Sequence, residues 1–432
     1  MSIRFRLTLV MLGIAIVGPL LHAADVVGVP GQRVLHLPDP PYQYANVSMP
    51  AFYMSNPVRV LDNTPVNNPV TDAGAALGRV LFYDTRLSAN NTVSCGSCHQ
   101  QAHAFSDPRQ FSVGFAGQKT DRHAMSLVDV RYYARGRMFW DERAASLEEQ
   151  VLMPIQNSHE MGQTLAKLMQ IISADQNYPE LFQKAFGDRT ITIERTANAL
   201  AQFVRTLVSY SSKYDKGLAV TGSIGVDFPN FTPLENRGKA AFLNRCGVCH
   251  LPPGQGVIFT SQITRNNGLD ADAKVNDLGV ADVTFNRFHA GLFKSPSLRN
   301  VEYTGPYMHD GRFATLEQVI EHYSSGVKAH PNLAPQLGGP PARLRMNADE
   351  KAGLLAFLKT LSDPEFIKDP RFSDPFENGA PAKPARASQV RNVSMKNDRH
   401  CVTEQSGIFD FRLFPAQWML CSVWQIQLMI GA

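Results

Sequence analysis

Two short stretches decide the fold class, Cys95-Gly-Ser-Cys98-His99 and Cys246-Gly-Val-Cys249-His250, because each carries two cysteines and a histidine in one pattern. Cysteines three residues apart on one helical turn can both form thioether bonds to a haem, and the adjacent imidazole then lies under the iron. With 6 Cys and 12 His in 432 residues, two accidental copies are not expected. The pattern predicts one covalently attached c-type haem in each half of the chain.

The paired cysteines also allow two other interpretations, a zinc site and a thioredoxin-type redox pair. A zinc site needs a second pair of ligands close in the sequence, which neither motif has. A thioredoxin-type redox pair does not require the histidine that follows both pairs here. Outside the motifs, Cys401 and Cys421 could form a disulfide in an oxidising compartment or be incidental, and the sequence leaves both open.

Apolar periodicity predicts a mainly α-helical protein with two domains. Capping-box pairs mark two helix starts, Thr315 with Gln318 and Asn347 with Glu350. The stretch from Gly217 to Pro233, with three Gly and two Pro, predicts the linker between the domains. Candidate helices lie near 73–84, 144–156, 163–174, 192–213, 234–246, 315–326 and 348–361. We expect an extended arm over 25–70, domains over 71–220 and 232–376, and a tail of unassigned structure over 377–432.

The N-terminus has the layout of a secretory signal peptide over residues 1–24. Arg4 and Arg6 precede an apolar run that Gly18-Pro19 interrupts and that ends before small residues. The run is about 15 residues long, whereas a membrane span needs about 20. We therefore expect export to the periplasm without a stable membrane span. The net charge of +4 offers no basic footprint for nucleic acid.

From about residue 73 to 375, the chain resembles the bacterial di-haem cytochrome c peroxidases, including their MauG-like members. The resemblance implies two cytochrome-c-like domains, with a peroxidatic haem in the first and an electron-transfer haem in the second. It also implies reduction of hydrogen peroxide with electrons from a small soluble c cytochrome or cupredoxin. The matching segments are Leu77–Tyr83, Phe139–Arg143, Leu147–Gln150, Pro154–Gln156, Glu160-Met161, Pro306–Gly311 and Thr315–Glu317.

The resemblance assigns roles to four residues of the first half. Gln150, Pro154 and Glu160 match the distal pocket of the peroxidatic haem, where the glutamate acts as acid and base toward peroxide and the glutamine orients it. Trp140 matches the tryptophan that carries electrons between the haems. From the residues alone, Gln150 and Glu160 would be placed on a helix surface and Trp140 in a core.

The first haem departs from the classical peroxidases in its expected sixth ligand. Those proteins carry a removable histidine in a loop after the first motif, whereas this chain has Val113-Gly-Phe115-Ala-Gly117 there. Phe115 cannot bind iron, although His103 or His123 could in principle substitute. We expect an iron that is five-coordinate through His99 and open without prior reduction.

The second haem also differs from the classical peroxidases in its expected sixth ligand. Classical members use a methionine, whereas the matching offset here gives Tyr323, which is the MauG-like pattern. An anionic phenolate favours the ferric and higher states of iron. Tyr323 also completes an apolar helical stripe with Leu316 and Ile320, so core packing is the competing interpretation. His322 and Met308 are further ligand candidates.

The resemblance also implies a calcium ion between the domains, held in the family by an asparagine side chain and two backbone carbonyls. The carbonyl positions match Thr304 and Pro306, but His123 stands at the asparagine position. Imidazole is a poor calcium ligand, so the ion would depend on carbonyls and water.

The sequence is compatible with three functions. Two belong to the family, namely peroxide detoxification and MauG-like high-valent oxidation of a Trp or Tyr in a partner protein. The third is a non-enzymatic di-haem electron carrier. A carrier would have two six-coordinate haems and no proton-transfer group over either iron.

Overall fold

Helices form most of the regular structure in the part of the chain that the computed structural model describes, namely residues 34–251, 256–271, 277–338 and 344–376. The expected signal peptide over 1–24 and the tail over 377–432, with Cys401 and Cys421, lie outside these residues. Within the described ranges, no helix has the length and apolar character needed to cross a bilayer. The mainly helical class predicted from the sequence is confirmed.

The first half places its Cys-x-x-Cys-His motif on a single helical turn between longer helices. Short 3-10 turns lie at Thr85–Leu87, Gln101–His103 and Val130–Tyr132. The α-helices are α1 (Asn56–Arg59), α2 (Asp72–Tyr83), α3 (Cys95–Cys98), α4 (Leu147–Gln150), α5 (Met153–Gln156), α6 (Leu165–Ala174), α7 (Tyr178–Phe186) and α8 (Ile193–Arg205).

The second half repeats this arrangement with one small sheet added. Strands β1 (Thr264–Arg265) and β2 (Phe293–Lys294) pair antiparallel. The α-helices are α9 (Lys213–Thr221), α10 (Pro233–Arg245), α11 (Gly247–His250), α12 (Val280–Thr284), α13 (Leu316–Glu321) and α14 (Ala348–Lys359). A π-helical turn continues α13 over His322–Gly326, and 3-10 turns lie at Arg287–His289, Val301–Tyr303, Pro335–Leu337 and Phe366–Lys368.

In each half, the helix that precedes the haem motif crosses a later helix at a glycine. Gly78 of α2 lies against the carbonyl of Ala199 in α8, and Gly238 of α10 lies against the carbonyl of Gly353 in α14. A Cβ atom at Gly78 or Gly238 would overlap that carbonyl, so only glycine permits the close approach. The same helix crossing therefore occurs once in each half.

Two apolar clusters correspond to these crossings. One centres on α2 and α8, and the other on α10 and α14. Residues 366–376 end the last described segment, and the sequence places them in the C-terminal domain. In the structure they pack on the first cluster. There, Phe366 and Phe372 pack edge-on against Phe105, with ring centroids 5.8 and 6.4 Å apart. The chain end thus stabilises the first half.

Most predicted helices are confirmed, with corrections at their ends. The pattern near 144–156 is two short helices, α4 and α5, and the one near 192–213 ends at Arg205. Gly217 lies inside α9, where it packs against Phe228, so the predicted linker is shorter than expected. Both expected capping boxes, at Thr315 and Asn347, are present. Helices α1, α7, α9 and α12 were not predicted from the sequence.

A fully buried guanidinium connects the two halves. Arg299 donates to both carboxylate oxygens of Asp215 on α9, at 2.8 and 2.9 Å. Its Nε donates to the carbonyl of Val257 at 2.6 Å and lies 3.4 Å from Asp129, a residue of the first half. Because a buried cation must be paired, these four segments have to converge.

We expect Asp215→Ala to destabilise the holoprotein by about 3–5 kcal/mol, because it leaves the Arg299 guanidinium buried with one of its two carboxylate partners missing. Denaturant unfolding measures the loss. The control is Asp188→Ala, whose partner Arg195 is at the surface, and it should leave the midpoint unchanged. Equal midpoints for the two variants would contradict this account.

Candidate haem sites and distal pocket

The first haem motif presents its histidine in a defined tautomer. His99 ends the turn of α3, and its Nδ1 lies 2.9 Å from the carbonyl oxygen of Phe105. A carbonyl only accepts, so Nδ1 carries the proton and Nε2 keeps the lone pair that can bind iron. Burial lowers the pKa of His99 and so favours the neutral ring.

The second motif has the same arrangement in looser form. Burial lowers the pKa of His250 to about 4, and the nearby carbonyl of Phe259 opposes this shift. Within the described residues, His250 Nδ1 has no hydrogen bond of normal geometry. Phe259 and Phe105 both adopt a left-handed backbone, with φ of 56° and 58°. This unusual conformation turns a carbonyl toward each histidine.

A large cavity opens beside the second motif, with about 1530 Å³ of empty space that includes open solvent. Its walls carry the groups that a c-type haem requires, namely two thiols, an imidazole and apolar side chains. The residues present therefore fit a haem. They include Cys246, Cys249, His250, Tyr323, Leu354 and Leu358.

Tyr323 lies in this cavity, on the π-helical turn. Burial raises the pKa of its phenol to about 12, and the thiols of Cys246 and Cys249 are close enough to contribute. Asn267, which was not predicted from the sequence, opposes this rise, because its side chain is close enough to lower the pKa of the phenol as a hydrogen-bond partner. Tyr323 also contacts the apolar cluster, as its stripe position predicts. The phenol therefore shares one cavity with the motif thiols.

The distal residues expected for the first haem lie on consecutive elements. Gln150 ends α4, Pro154 lies in α5, and Glu160 lies on the turn that follows. The carboxylate of Glu160 acts on the thiol pKa of both Cys95 and Cys98. The structure therefore brings Glu160 to the first motif, although about 60 residues separate them in sequence.

The loop that replaces the classical histidine lies against Glu160. The backbone N–H of Phe115 donates to the Glu160 carbonyl at 2.8 Å, and the Phe115 ring covers Gly162. Asn90 donates to the Phe115 carbonyl at 2.7 Å. An apolar ring is thus fixed beside the turn that carries Glu160.

Arg143 and Asn157, which were assigned no role from the sequence, both lower the pKa of Glu160. Burial raises the pKa of Glu160, whereas the Arg143 guanidinium and a 2.8 Å hydrogen bond from Asn157 lower it. Arg143 is held by the Phe139 ring, 3.6 Å away, and by Asp141. The segment Phe139–Arg143 could have pointed to Arg143 from the sequence, because it lies shortly before the distal residues in the chain.

Trp140 lies where the two halves meet. Its indole N–H donates to the carbonyl of His123 at 2.8 Å, and its own carbonyl accepts from the N–H of Lys294 at 2.7 Å. Its ring meets His309 edge-on, with centroids 6.4 Å apart, and it lines the cavity of the second motif. His309 in turn stacks on Phe293. Trp140 is therefore bound by both halves.

The residues at the expected calcium position do not fit the ion. His123 is buried, and its ring nitrogens lie 3.1 Å from Ser106 Oγ and 3.2 Å from the carbonyl of Arg109. The carbonyl of Thr304 also faces the ring, and Thr304 and Pro306 line the cavity of the second motif. Calcium prefers charged oxygen ligands, whereas an imidazole fills this position.

Comparisons with known proteins identify the family. A family model described as di-haem cytochrome c peroxidase matches residues 72–222. The methylamine utilization protein MauG of Methylorubrum extorquens is 35% identical over 318 residues, which are 71% of this chain and 83% of that protein. The chain belongs to the di-haem cytochrome c peroxidase family. The cytochrome c551 peroxidase of Nitrosomonas europaea is 34% identical, over 68% of this chain and 81% of its own length.

Solved structures agree with this membership in the di-haem cytochrome c peroxidase family. A MauG-like protein associated with microbial copper homeostasis has a TM-score of 0.61 and 36% identity, over 73% of this chain and 96% of that one. The diheme peroxidase BthA from Burkholderia thailandensis has a TM-score of 0.59 at 24% identity, over 69% and 88%, which shows the shared fold. The chain is thus a peroxidase-like oxidoreductase of the MauG-like branch, with haem cofactors.

The effect of Arg143 on the pKa of Glu160 leads to a prediction about pH. A base must be ionised, so the peroxide reaction should slow as pH falls through the raised pKa of Glu160, above the ordinary 4.5. Removing the positive charge in Arg143→Ala should move this acid limb to higher pH, as stopped-flow rates across pH would show. Arg135→Ala is the control, because Arg135 pairs with Glu142 instead. A limb at the same pH in both variants would contradict the assignment.

Proposed function

We propose that the protein is a periplasmic di-haem c-type peroxidase that reduces hydrogen peroxide at the haem of His99, with electrons relayed through the haem of His250. The observation that carries the proposal is the half-buried carboxyl group of Glu160, which lies close enough to Cys95 and Cys98 to affect their pKa values. A carboxyl group of raised pKa beside an iron site is suited to acid and base chemistry.

When bound, the haem supplies an iron that binds peroxide and exchanges electrons. Glu160 would take the proton from the inner peroxide oxygen and return it to the departing oxygen. Gln150 would orient the bound peroxide, and Pro154 would form the adjoining wall. The carbonyl of Pro154 accepts from the N–H of Met161 at 3.2 Å, which fixes the turn that carries Glu160.

Electrons would pass between the two haems through Trp140. The indole N–H donates to the carbonyl of His123 in the first half, and the backbone carbonyl of Trp140 accepts from Lys294 in the second, which keeps the residue in one position. A fixed aromatic ring between redox centres needs little reorganisation when an electron passes. Tyr323 would be the sixth ligand of the second iron, with Cys246, Cys249 and His250 completing the attachment.

The proposed layout follows the sequence. Two cytochrome-c-like haem domains would cover 71–220 and 232–376, with a cleaved signal peptide over 1–24 and an extended arm over 25–70. The repeated helix crossing at Gly78 and Gly238 supports two domains of one kind. In the arm, α1 is the one helix among the described residues. Calcium is not part of the proposal, because His123 occupies its place.

Within the family, Phe115 and Tyr323 favour MauG-like chemistry on a partner protein's Trp or Tyr over detoxification with a soluble electron donor. Phe115 leaves the first iron without a side-chain ligand from its loop, and phenolate favours oxidised iron. A plain electron carrier needs no proton-transfer group, so the half-buried carboxyl group of Glu160 disfavours that function.

The direct test replaces the proposed acid and base. Glu160→Gln keeps the shape but cannot accept a proton, so kcat/KM for peroxide should fall by about 100- to 10,000-fold, measured with a reduced c cytochrome as donor. Glu180→Gln, a surface change on α7, is the control. Unchanged turnover in Glu160→Gln would refute the catalytic assignment.

A second test addresses the open iron. Fully oxidised holoprotein is mixed rapidly with one equivalent of hydrogen peroxide and no reductant, and absorbance is followed. We expect a fast change at the haem bands with a long-lived product. A reaction that starts only after prereduction would restore the classical gated peroxidase. No reaction in either state would leave the electron carrier.

A further inference from the structure

One residue, Asn267, contacts all three residues that are candidates for the sixth ligand of the second haem. The amide nitrogen of Asn267 lies 3.3 Å from the sulfur of Met308. The same side chain is close enough to the phenol of Tyr323 to lower its pKa as a hydrogen-bond partner. The backbone carbonyl of Asn267 lies 3.1 Å from Nε2 of His322. Asn267 lines the cavity of the second motif, so these contacts occur at the expected iron site.

The direction of these hydrogen bonds separates the three candidates. A thioether sulfur only accepts, so the Asn267 amide donates one N–H to Met308 and has a second N–H for the oxygen of Tyr323. His322 must donate from Nε2, because a carbonyl cannot donate. That nitrogen therefore has no lone pair for iron. The sulfur and one imidazole nitrogen are both engaged, whereas the phenol oxygen gains a donor.

Neighbouring backbone contacts hold Asn267 in place. The Asn266 side chain accepts from the N–H of Gly268 at 2.8 Å, and the Asn266 carbonyl accepts from Ala334 at 3.0 Å. Met308 is also constrained, because its φ of 77° lies in the left-handed region that side chains rarely adopt. The position of the sulfur is thus set by its backbone as well as by the amide.

We propose that Asn267 is a positioning residue that selects the ligand of the second haem, by retaining the Met308 sulfur and donating a hydrogen bond to the Tyr323 oxygen. A donor to an anionic oxygen forms a strong, charge-assisted bond, whereas sulfur is a weak acceptor. The amide therefore stabilises phenolate ligation and disfavours thioether ligation. This inference rests on the proposed ligation by Tyr323.

The test uses ferric holoprotein before any peroxide is added. Asn267→Ala should weaken the phenolate absorption and produce a thioether-to-iron charge-transfer band, with a more positive midpoint potential of the second haem, because methionine ligation raises that potential. Asn267→Asp keeps the shape but removes the donors, and it should weaken phenolate ligation too. The new band should disappear in Asn267→Ala/Met308→Leu.

The control is Asn286→Ala, in which the lost amide caps the 3-10 turn Arg287–His289, and its spectrum should match the parent. If Asn267→Ala and Asn267→Asp both keep the parent spectrum and potential, the inference is wrong. Should neither variant fold, Met308→Leu decides: an unchanged ferric spectrum supports a retained sulfur, and a changed one overturns it.

Failure of the ligation itself is recognised separately through Tyr323→Phe. If that variant keeps the parent spectrum, Tyr323 is not a ligand and both the ligation and the inference fail. If Tyr323→Phe alters the spectrum while the Asn267 variants do not, phenolate ligation stands and only the role of Asn267 is rejected.

Discussion

The buried charge of Arg299 constrains the region where the two halves meet. Its guanidinium is inaccessible to water, so it needs the carboxylates of Asp215 and Asp129 and the carbonyl of Val257 around it. These partners come from separate segments of both halves. The chain that continues from Arg299 leads to His309, whose carbonyl accepts from the N–H of His123 at 2.8 Å. Since His123 also binds the Trp140 indole, the proposed electron path depends on this convergence.

Each half uses the same two local solutions around its haem motif. A glycine lets one helix approach another backbone, and a phenylalanine in a left-handed conformation turns its carbonyl toward the motif histidine. The second solution has a chemical consequence, because an Nδ1–H···O=C bond leaves Nε2 as the iron ligand. The bond has normal geometry at His99 and not at His250. The histidine of the second half is therefore held less firmly by its own surroundings.

Local features of the sequence predicted local structure well. The helical turns of the haem motifs, most of the seven helical segments and the two capping boxes depend on residues within a few positions of each other, and the structure has them. Contacts across the chain were accessible only through the family resemblance, as for Glu160, or not at all, as for Asn267. The Asn267 contacts need a left-handed Met308 and a short strand beside it, and apolar periodicity reports neither. The return of residues 366–376 to the first cluster was missed for the same reason.

The two haem sites differ in the groups that can move protons. Glu160 places a carboxyl group of raised pKa beside the first motif, and Arg143 and Asn157 oppose that rise. Among the described residues that line the cavity of the second motif, none is Asp or Glu, and the phenol of Tyr323 keeps its proton through neutral pH unless a metal displaces it. Cleaving peroxide requires a proton to be taken up and returned, whereas transferring an electron does not. The difference in side chains therefore supports the proposal that peroxide chemistry takes place in the first half and electron storage in the second.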